Sequence, residues 1–262
     1  METKIQLTKT KERIYNLSLA MSLILLFIIS TTLLNLDMNH FWSRLYNFPE
    51  VIKLFWDLNF DSFGPGIEQL AISVMLGICG LVIGGPVAFV LAFLAADNLA
   101  FSTTLSFIIK SGVSLIRAVP NLVLMLIIVA CLGMGYTAAV VSLTLSSVGF
   151  LTKTFISTIE EQDKSIADTL SATGANWLQV VVHGFLPNVI PSFLVWITIR
   201  MESSVAESIS LGVIGVGGIG MLLTRAIRQY DYATVSMLII IIFTGMLILE
   251  LSLNYIKKRI KS

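Results

Sequence analysis

Charge is what this sequence has least of. Only 13% of its residues are Asp, Glu, Lys or Arg, against about 25% in ordinary soluble domains. Apolar residues make up 56% before glycine is counted, and the mean hydropathy is +0.88, so there is too little polar surface to cover a water-soluble globule. Histidine is scarce: His40 and His183 stand far apart, and the two cysteines, Cys79 and Cys131, lie in separate apolar runs. With no C-x-x-C or H-E-x-x-H spacing, neither a disulfide framework nor a metal centre is expected, and the cysteines read as small core residues. A net charge of +1 speaks against nucleic acid as a partner, which calls for a clustered basic face. The phosphate loop G-x-x-x-x-G-K-[ST] is missing as well, so any ATP or magnesium must be held by another subunit.

What the chain has is long apolar runs, and a helix needs about 20 such residues to cross a bilayer. Cut by that ruler, the spans are 17–36, 67–96, 104–132, 136–158, 188–212 and 233–256. A cleaved signal peptide would have a shorter apolar region closed by small residues, so the first run reads as a retained span. Between it and the second span, residues 37–66 mix charges with Trp42 and Trp56 and read as an interfacial loop. Lys4, Lys9, Lys11 and Arg13 precede the first span, and Lys257, Lys258, Arg259 and Lys261 follow the last. Excess Lys and Arg marks cytoplasmic segments, so both ends are expected inside, which an even number of crossings satisfies. The expectation is an all-α integral membrane protein with six spans, divided into a cytoplasmic tail (1–16), a first helix with its external loop (17–66), a core (67–256) and a basic tail (257–262).

The glycines Gly215, Gly217 and Gly220 satisfy G-x-G-x-x-G, yet no strand precedes them and no βαβ unit surrounds them, so a dinucleotide site is rejected. They are expected to allow a tight re-entrant turn or a close helix approach. Gly77, Gly80 and Gly84 offer a small-residue packing face.

Residues 159–187 are too polar to span a membrane and too patterned for a linker. Ile166, Leu170 and Thr173 recur at helical spacing, Gly174 interrupts, and Trp177, Val180, Val181 and Phe185 resume. Two short helices joined at Gly174 are predicted, with Pro187 and Pro191 permitting a break before the next span. This stretch resembles the cytoplasmic loop of ABC-importer permeases, whose pattern is E-A-A, three residues, Gly, nine residues, Ile-x-Leu-Pro. Asp168, Thr169 and Leu170 stand in the first three places, Gly174 keeps the glycine, and Leu186-Pro187 keep the end, while Gly184 replaces the isoleucine. "ATGANWLQV" brings Ala175 and Trp177 into the same resemblance.

The likeness extends over most of 67–256. "SLIRAVPNLVLMLIIVACLGMG", "GFLTKTFISTIEEQD" and "LGVIGVGGIGMLL" resemble the phosphonate-type permeases, whereas methionine-type permeases share the glycine-rich segment but usually have five spans. Asn121 stands where a glutamate is common after the proline. The resemblance implies a type I ABC-importer permease fold in the inner membrane of a bacterium. It also implies a coupling loop that docks on two cytoplasmic ATPase subunits, a second copy of the chain, and an extracytoplasmic binding protein that delivers the substrate.

Ionisable residues inside spans usually face a bundle interior or a water-filled path. Lys110, Ser114, Arg117 and Asn121 fall on one face if the third span is one helix, with Lys110 near enough to the cytoplasmic end to snorkel. Arg200, Ser203, Ser204, Glu207 and Ser208 make a second polar stripe in the fifth span, and Glu202 points elsewhere. Two readings stay open. Arg117, Asn121, Arg200, Glu202, Ser204 and Glu207 line a cationic passage for a small oxyanion, or an Arg–Glu pair, such as Arg117 with Glu202 or Glu207, holds helices in register. No catalytic residues are expected. An ion-coupled secondary transporter would need paired broken helices in an internal repeat, and a membrane enzyme would need clustered catalytic groups; neither pattern is found.

Overall fold

The computed structural model describes residues 10–34, 37–100 and 102–261; Lys4 and Lys9, and the last two residues of the span expected at 17–36, lie outside them. Among the described residues the chain is helical throughout, with no strand. It divides into two units, Met1–Lys53 and Leu54–Ser262.

The first unit carries α1 (Thr10–Leu33), α2 (Met38–Tyr46) and all but the last residue of α3 (Phe48–Leu54). Residues 14–33 of α1 are long and apolar enough to cross a membrane. The expected loop at 37–66 is instead largely helical. Asp37 caps α2 by accepting hydrogen bonds from the backbone N–H of Asn39 and His40, at 3.1 Å each, and satisfying these orphan donors stabilises a helix start by about 1 kcal/mol. Helices of nine and seven residues are too short for a span-length hydropathy window to register.

In the second unit α4 (Phe63–Ala95), α7 (Tyr136–Glu160) and α10 (Leu186–Ile214) pack together. Lipid is as apolar as leucine, so close approach of small residues holds such helices together. The space a Cβ would need on Gly80 is filled by Leu143, on Gly84 by Thr144 and Ser147, and on Gly77 by Ser204 and Val205. Phe155 of α7 stacks on Phe193 of α10, with ring centroids 3.9 Å apart. Truncating the fully buried Phe155 to alanine would cost about 3–5 kcal/mol.

The third apolar run is not one helix. It breaks at Val119-Pro120 into α5 (Thr103–Ala118) and α6 (Asn121–Leu132), bent by 94°. Pro120 has no N–H to offer and pushes Val119 out of the helical region, to ψ 127°. Lys110, Ser114 and Arg117 therefore share a helix, and Asn121 begins the next one. Among the described residues five helical segments are long and apolar enough to cross a membrane, or six if the bent pair counts as one.

The expected break at Pro187 and Pro191 does not occur. A short helix α9 (Trp177–Gln179), a π-helical turn (Val180–Phe185) and α10 follow one another without interruption. Pro187 sits in the first turn of α10, where a missing N–H costs little, and the wider π turn lies just ahead of it. At the far end of α10, Gly215, Gly217 and Gly218 adopt φ of 101°, 121° and 76° and turn the chain into α11 (Ile219–Arg228), which crosses close to α10 where Gly212 meets Gly220. Ser73 of α4 fastens this corner: its hydroxyl accepts from Ile219 N–H at 3.1 Å, and its carbonyl accepts from the Ser208 hydroxyl at 2.7 Å. The last helix, α12 (Tyr232–Lys261), runs on through the segment expected as a basic tail.

Candidate functional site

Residues 161–185 join the end of α7 to the start of α10. Helix α8 (Ser165–Ala172) stops at a Schellman turn: Ala175 N–H donates to Leu170 C=O at 3.2 Å and Gly174 N–H to Ser171 C=O at 3.0 Å. Gly174 has φ 86° with open space around it, so its conformation, not crowding, demands glycine. A capping box follows at once. The Asn176 side chain accepts from Gln179 N–H at 2.9 Å, and the Gln179 side chain accepts from Asn176 N–H at 2.8 Å. Two caps back to back make a stiff elbow.

The inner face of this elbow is anchored. Val180, Val181 and Phe185 are buried in the core, with Ile166, Leu170, Ala175, Trp177 and Leu186 packed against it. Trp177 donates its indole N–H to Leu99 C=O at 2.7 Å. Gly184, which departs from the family pattern, leaves room for Leu170 and Ile166; a Cβ there would come 2.7 Å from Leu170. On the outer face Asp168, Thr169 and Pro187 are exposed, beside Leu178 at 62% and Val182 at 41%.

Beside the elbow a charged knot ties three helix ends. Lys110 Nζ lies 2.6 Å from Asp97 Oδ1 and 2.7 Å from Glu160 Oε1. Asp97 N–H donates to Glu160, and the Ser106 hydroxyl donates to both Asp97 and Ala95 C=O. The hydrogen bond from Lys110, with help from Ser106, holds the Asp97 carboxyl below its ordinary 3.8. Lys110 thus reaches carboxylates at the partly exposed helix ends, toward the end to which it was expected to snorkel.

A polar centre lies halfway along the bundle. Arg200, the middle residue of α10, is 2% exposed. Its guanidinium grips Glu207 two turns further on, Nη1 to Oε1 at 2.9 Å and Nη2 to Oε2 at 2.7 Å, while Nε donates to the Ser147 hydroxyl at 3.0 Å. Glu207 also accepts from Asn121 Nδ2 at 2.9 Å and from the Ser146 hydroxyl at 3.1 Å. Ser204 sits 3.5 Å from Ser147 and is fully buried. One carboxylate therefore joins α6, α7 and α10. This bidentate geometry is the strong form of a charge pair.

The Arg–Glu pair is Arg200 with Glu207, not Arg117 with Glu202 or Glu207. Arg117 is exposed, and its guanidinium lies 5.9 Å from the Phe150 ring centroid; Arg200 lies 5.8 Å from the same ring. Among the described residues neither Arg117 nor Glu202 has an ionic partner within 4.0 Å. Arg117 borders a cavity of about 430 Å³ with Lys153, Ser157, Glu161 and Trp196. Lys153 and Ser157 also border a smaller recess of about 270 Å³ with Lys110, Ser114 and Glu160. The sequence analysis did not single out Lys153, which lies within the fourth span, and it missed Ser146 and Ser147, whose polarity is too slight to stand out from an apolar run.

The model of the family described as "binding-protein-dependent transport system inner membrane component" matches residues 88–262. The phosphite transport system permease protein of Stutzerimonas stutzeri is 30% identical over 78% of this chain and 74% of its own. The phosphate-import permease protein of Mycolicibacterium smegmatis is 29% identical over 77% of this chain, which spans only 38% of that longer relative. Among solved structures, an inward-facing form of a methionine ABC transporter superposes with a TM-score of 0.64. It is 20% identical over 77% of this chain and 97% of that one, a likeness that shows the fold alone.

Proposed function

The chain belongs to the family of binding-protein-dependent transport system inner membrane components, and from that premise we propose that it is the transmembrane subunit of an ATP-driven ABC importer. Its cargo on this reading is a small phosphorus oxyanion, a phosphonate first and phosphite or phosphate next, as the two permease relatives suggest. Two copies of the chain form the path, two ATPase subunits dock from the cytoplasm, and an external binding protein delivers the substrate. The chain itself carries no catalytic group on this reading.

The observation that carries the proposal is the capped elbow at 170–179. Its inner face is fixed to the core and its outer face presents Leu178 and Val182. An element that must receive a push from another protein needs such a combination: a partner-facing apolar patch on a connection too stiff to absorb motion. Asp168, Thr169 and Pro187 lie at its rim. In the bundle, Arg117 with Lys153 supplies cationic surface for an anion, while Arg200 and Glu207 neutralise each other and, with Asn121 and Ser204, form the closed polar centre. Glu202, without an ionic partner among the described residues, is the remaining acid of the proposed path.

Uptake by vesicles containing the permease, its ATPase and its binding protein tests this. Phosphonate or phosphite entry that needs ATP and all three proteins is the expected result. Entry driven by an ion gradient without the ATPase would make the protein a secondary transporter, and ATP-driven entry of methionine would replace the substrate.

A further inference from the structure

Arg225 and Arg228 do not fit the positive-inside rule if they lie on the outer side. Their position can be read from the fold. The elbow lies where α7 ends and α10 begins, so the opposite end of the bundle holds the start of α7 and the end of α10. There Gly217 packs on Tyr136, and α11 turns back with Arg225 and Arg228 in its last turn. Spaced i, i+3, the two side chains leave the same helix face about 5–6 Å apart. Both are exposed, and among the described residues neither has a carboxylate within 4.0 Å. Arg225 also borders a recess of about 200 Å³ with Asp61 and Asp231. Asp231 is already engaged, capping α12 through Thr234 N–H at 3.1 Å.

The two arginines open onto a pocket of about 570 Å³. Its lining is both polar, with Arg225, Arg228 and Gln229, and apolar, with Met134, Val213 and Met221. Guanidinium forks match the tetrahedral oxygens of a phosphorus oxyanion. The methionine wall gives an organic substituent somewhere to lie and would be left empty by a bare inorganic anion. Resting on the importer reading, we propose that this pocket is a receiving site for a phosphorus oxyanion bearing an organic group. A soluble phosphonate and the phosphate head of a lipid share that chemistry.

The test uses the complete transporter, in vesicles and in detergent. Arg225→Gln with Arg228→Gln removes two charge-assisted contacts, so uptake of propylphosphonate from a sub-saturating loaded binding protein should fall about tenfold or more. The Lys pair, which keeps the charge but not the fork, should fall between the Gln pair and wild type. Affinity of the binding protein for the transporter should not change, and native mass spectrometry should show unchanged co-purified phospholipid. Loss of that phospholipid with uptake unchanged would instead assign the site to the lipid head, with the same chemistry. Met221→Gln should slow propylphosphonate more than phosphite; equal slowing would overturn the apolar half of the assignment. Unchanged uptake and unchanged phospholipid in the double Gln variant would overturn the site while leaving the importer reading intact, and weaker docking of the binding protein would make the arginines a protein contact. A wild-type transporter that imports neither phosphonate nor phosphite would overturn both readings before any variant is compared.

Discussion

Replacing Glu207 by glutamine removes one charge from the polar centre and leaves the shape nearly intact. Arg200 is 2% exposed, so its guanidinium then lacks a counter-ion at a place water barely reaches. Breaking a buried pair from one side costs about 3–5 kcal/mol. The low end applies here, because the Glu207 side chain is 19% exposed and three interactions survive. Ser147 still accepts from Nε, the Phe150 ring still faces the cation, and the amide oxygen still accepts one bond. About 3 kcal/mol remains as the expected loss. Soluble domains of comparable size move about 2–4 °C per kcal/mol, which sets the scale of the melting shift at about 6–12 °C. Arg200→Met combined with Glu207→Met should recover most of this, since removing both charges leaves none unpaired. The cycle of two single variants and the double variant isolates the coupling. It is read by thermal unfolding of the purified permease in detergent. A Glu207→Gln protein that melts within about 2 °C of wild type, or a double variant worse than both singles, would refute this account of the centre.

Arg117→Gln should leave folding nearly unchanged, because an exposed cation over a ring contributes only about 0.5–1 kcal/mol. Uptake should nonetheless fall several-fold, and neither Glu202→Gln nor Glu207→Gln should rescue it in assembly or transport assays. Gly174→Val forces a β-branched residue to φ 86°, which costs at least about 1–2 kcal/mol; co-purification with the ATPase should drop while membrane insertion persists, and Gly174→Asn should be milder. The Asp97 carboxyl is held below its ordinary 3.8, so its contribution to the Lys110 knot is fully present above that value and is lost as pH falls through the lower, folded one. Hydrogen exchange in residues 96–100 should therefore speed up only at acidity below about pH 4, and Asp97→Asn should remove that dependence.

Which features the sequence announced depends on how local their causes are. The elbow was legible because a left-handed glycine and two caps are decided within ten residues, 170–179. Likewise Gly77, Gly80 and Gly84 advertise a packing face by spacing alone. Pro120 was visible too, but an unbroken apolar run masked it; hydropathy averages over the very residue that bends the chain, and Asn121 was put on the wrong helix as a result. Lys110 finds Asp97 and Glu160 at separations of 13 and 50 residues, a distance at which sequence spacing says nothing. Arg200 and Glu207 were on one stripe, two turns apart, and that was the available signal. What could not be read was that Ser146, Ser147 and Asn121 would close around them.

From Leu186 to Ile214 the rod-like α10 is about 44 Å long at 1.5 Å per residue, and α9 and the π turn lead into it without a non-helical residue between. The residues proposed to meet the ATPase stand at one tip of this rod, and Arg200 stands near its middle. A displacement imposed at the tip reaches the ion pair as a lever stroke to the extent that the π turn and the stretch around Pro191 do not bend. Asn121, which reaches the same carboxylate from the far side of the Pro120 corner, must then either follow the stroke or let go. If the elbow meets the ATPase as proposed, Glu207 is the catch of a latch, and the rod the handle that trips it.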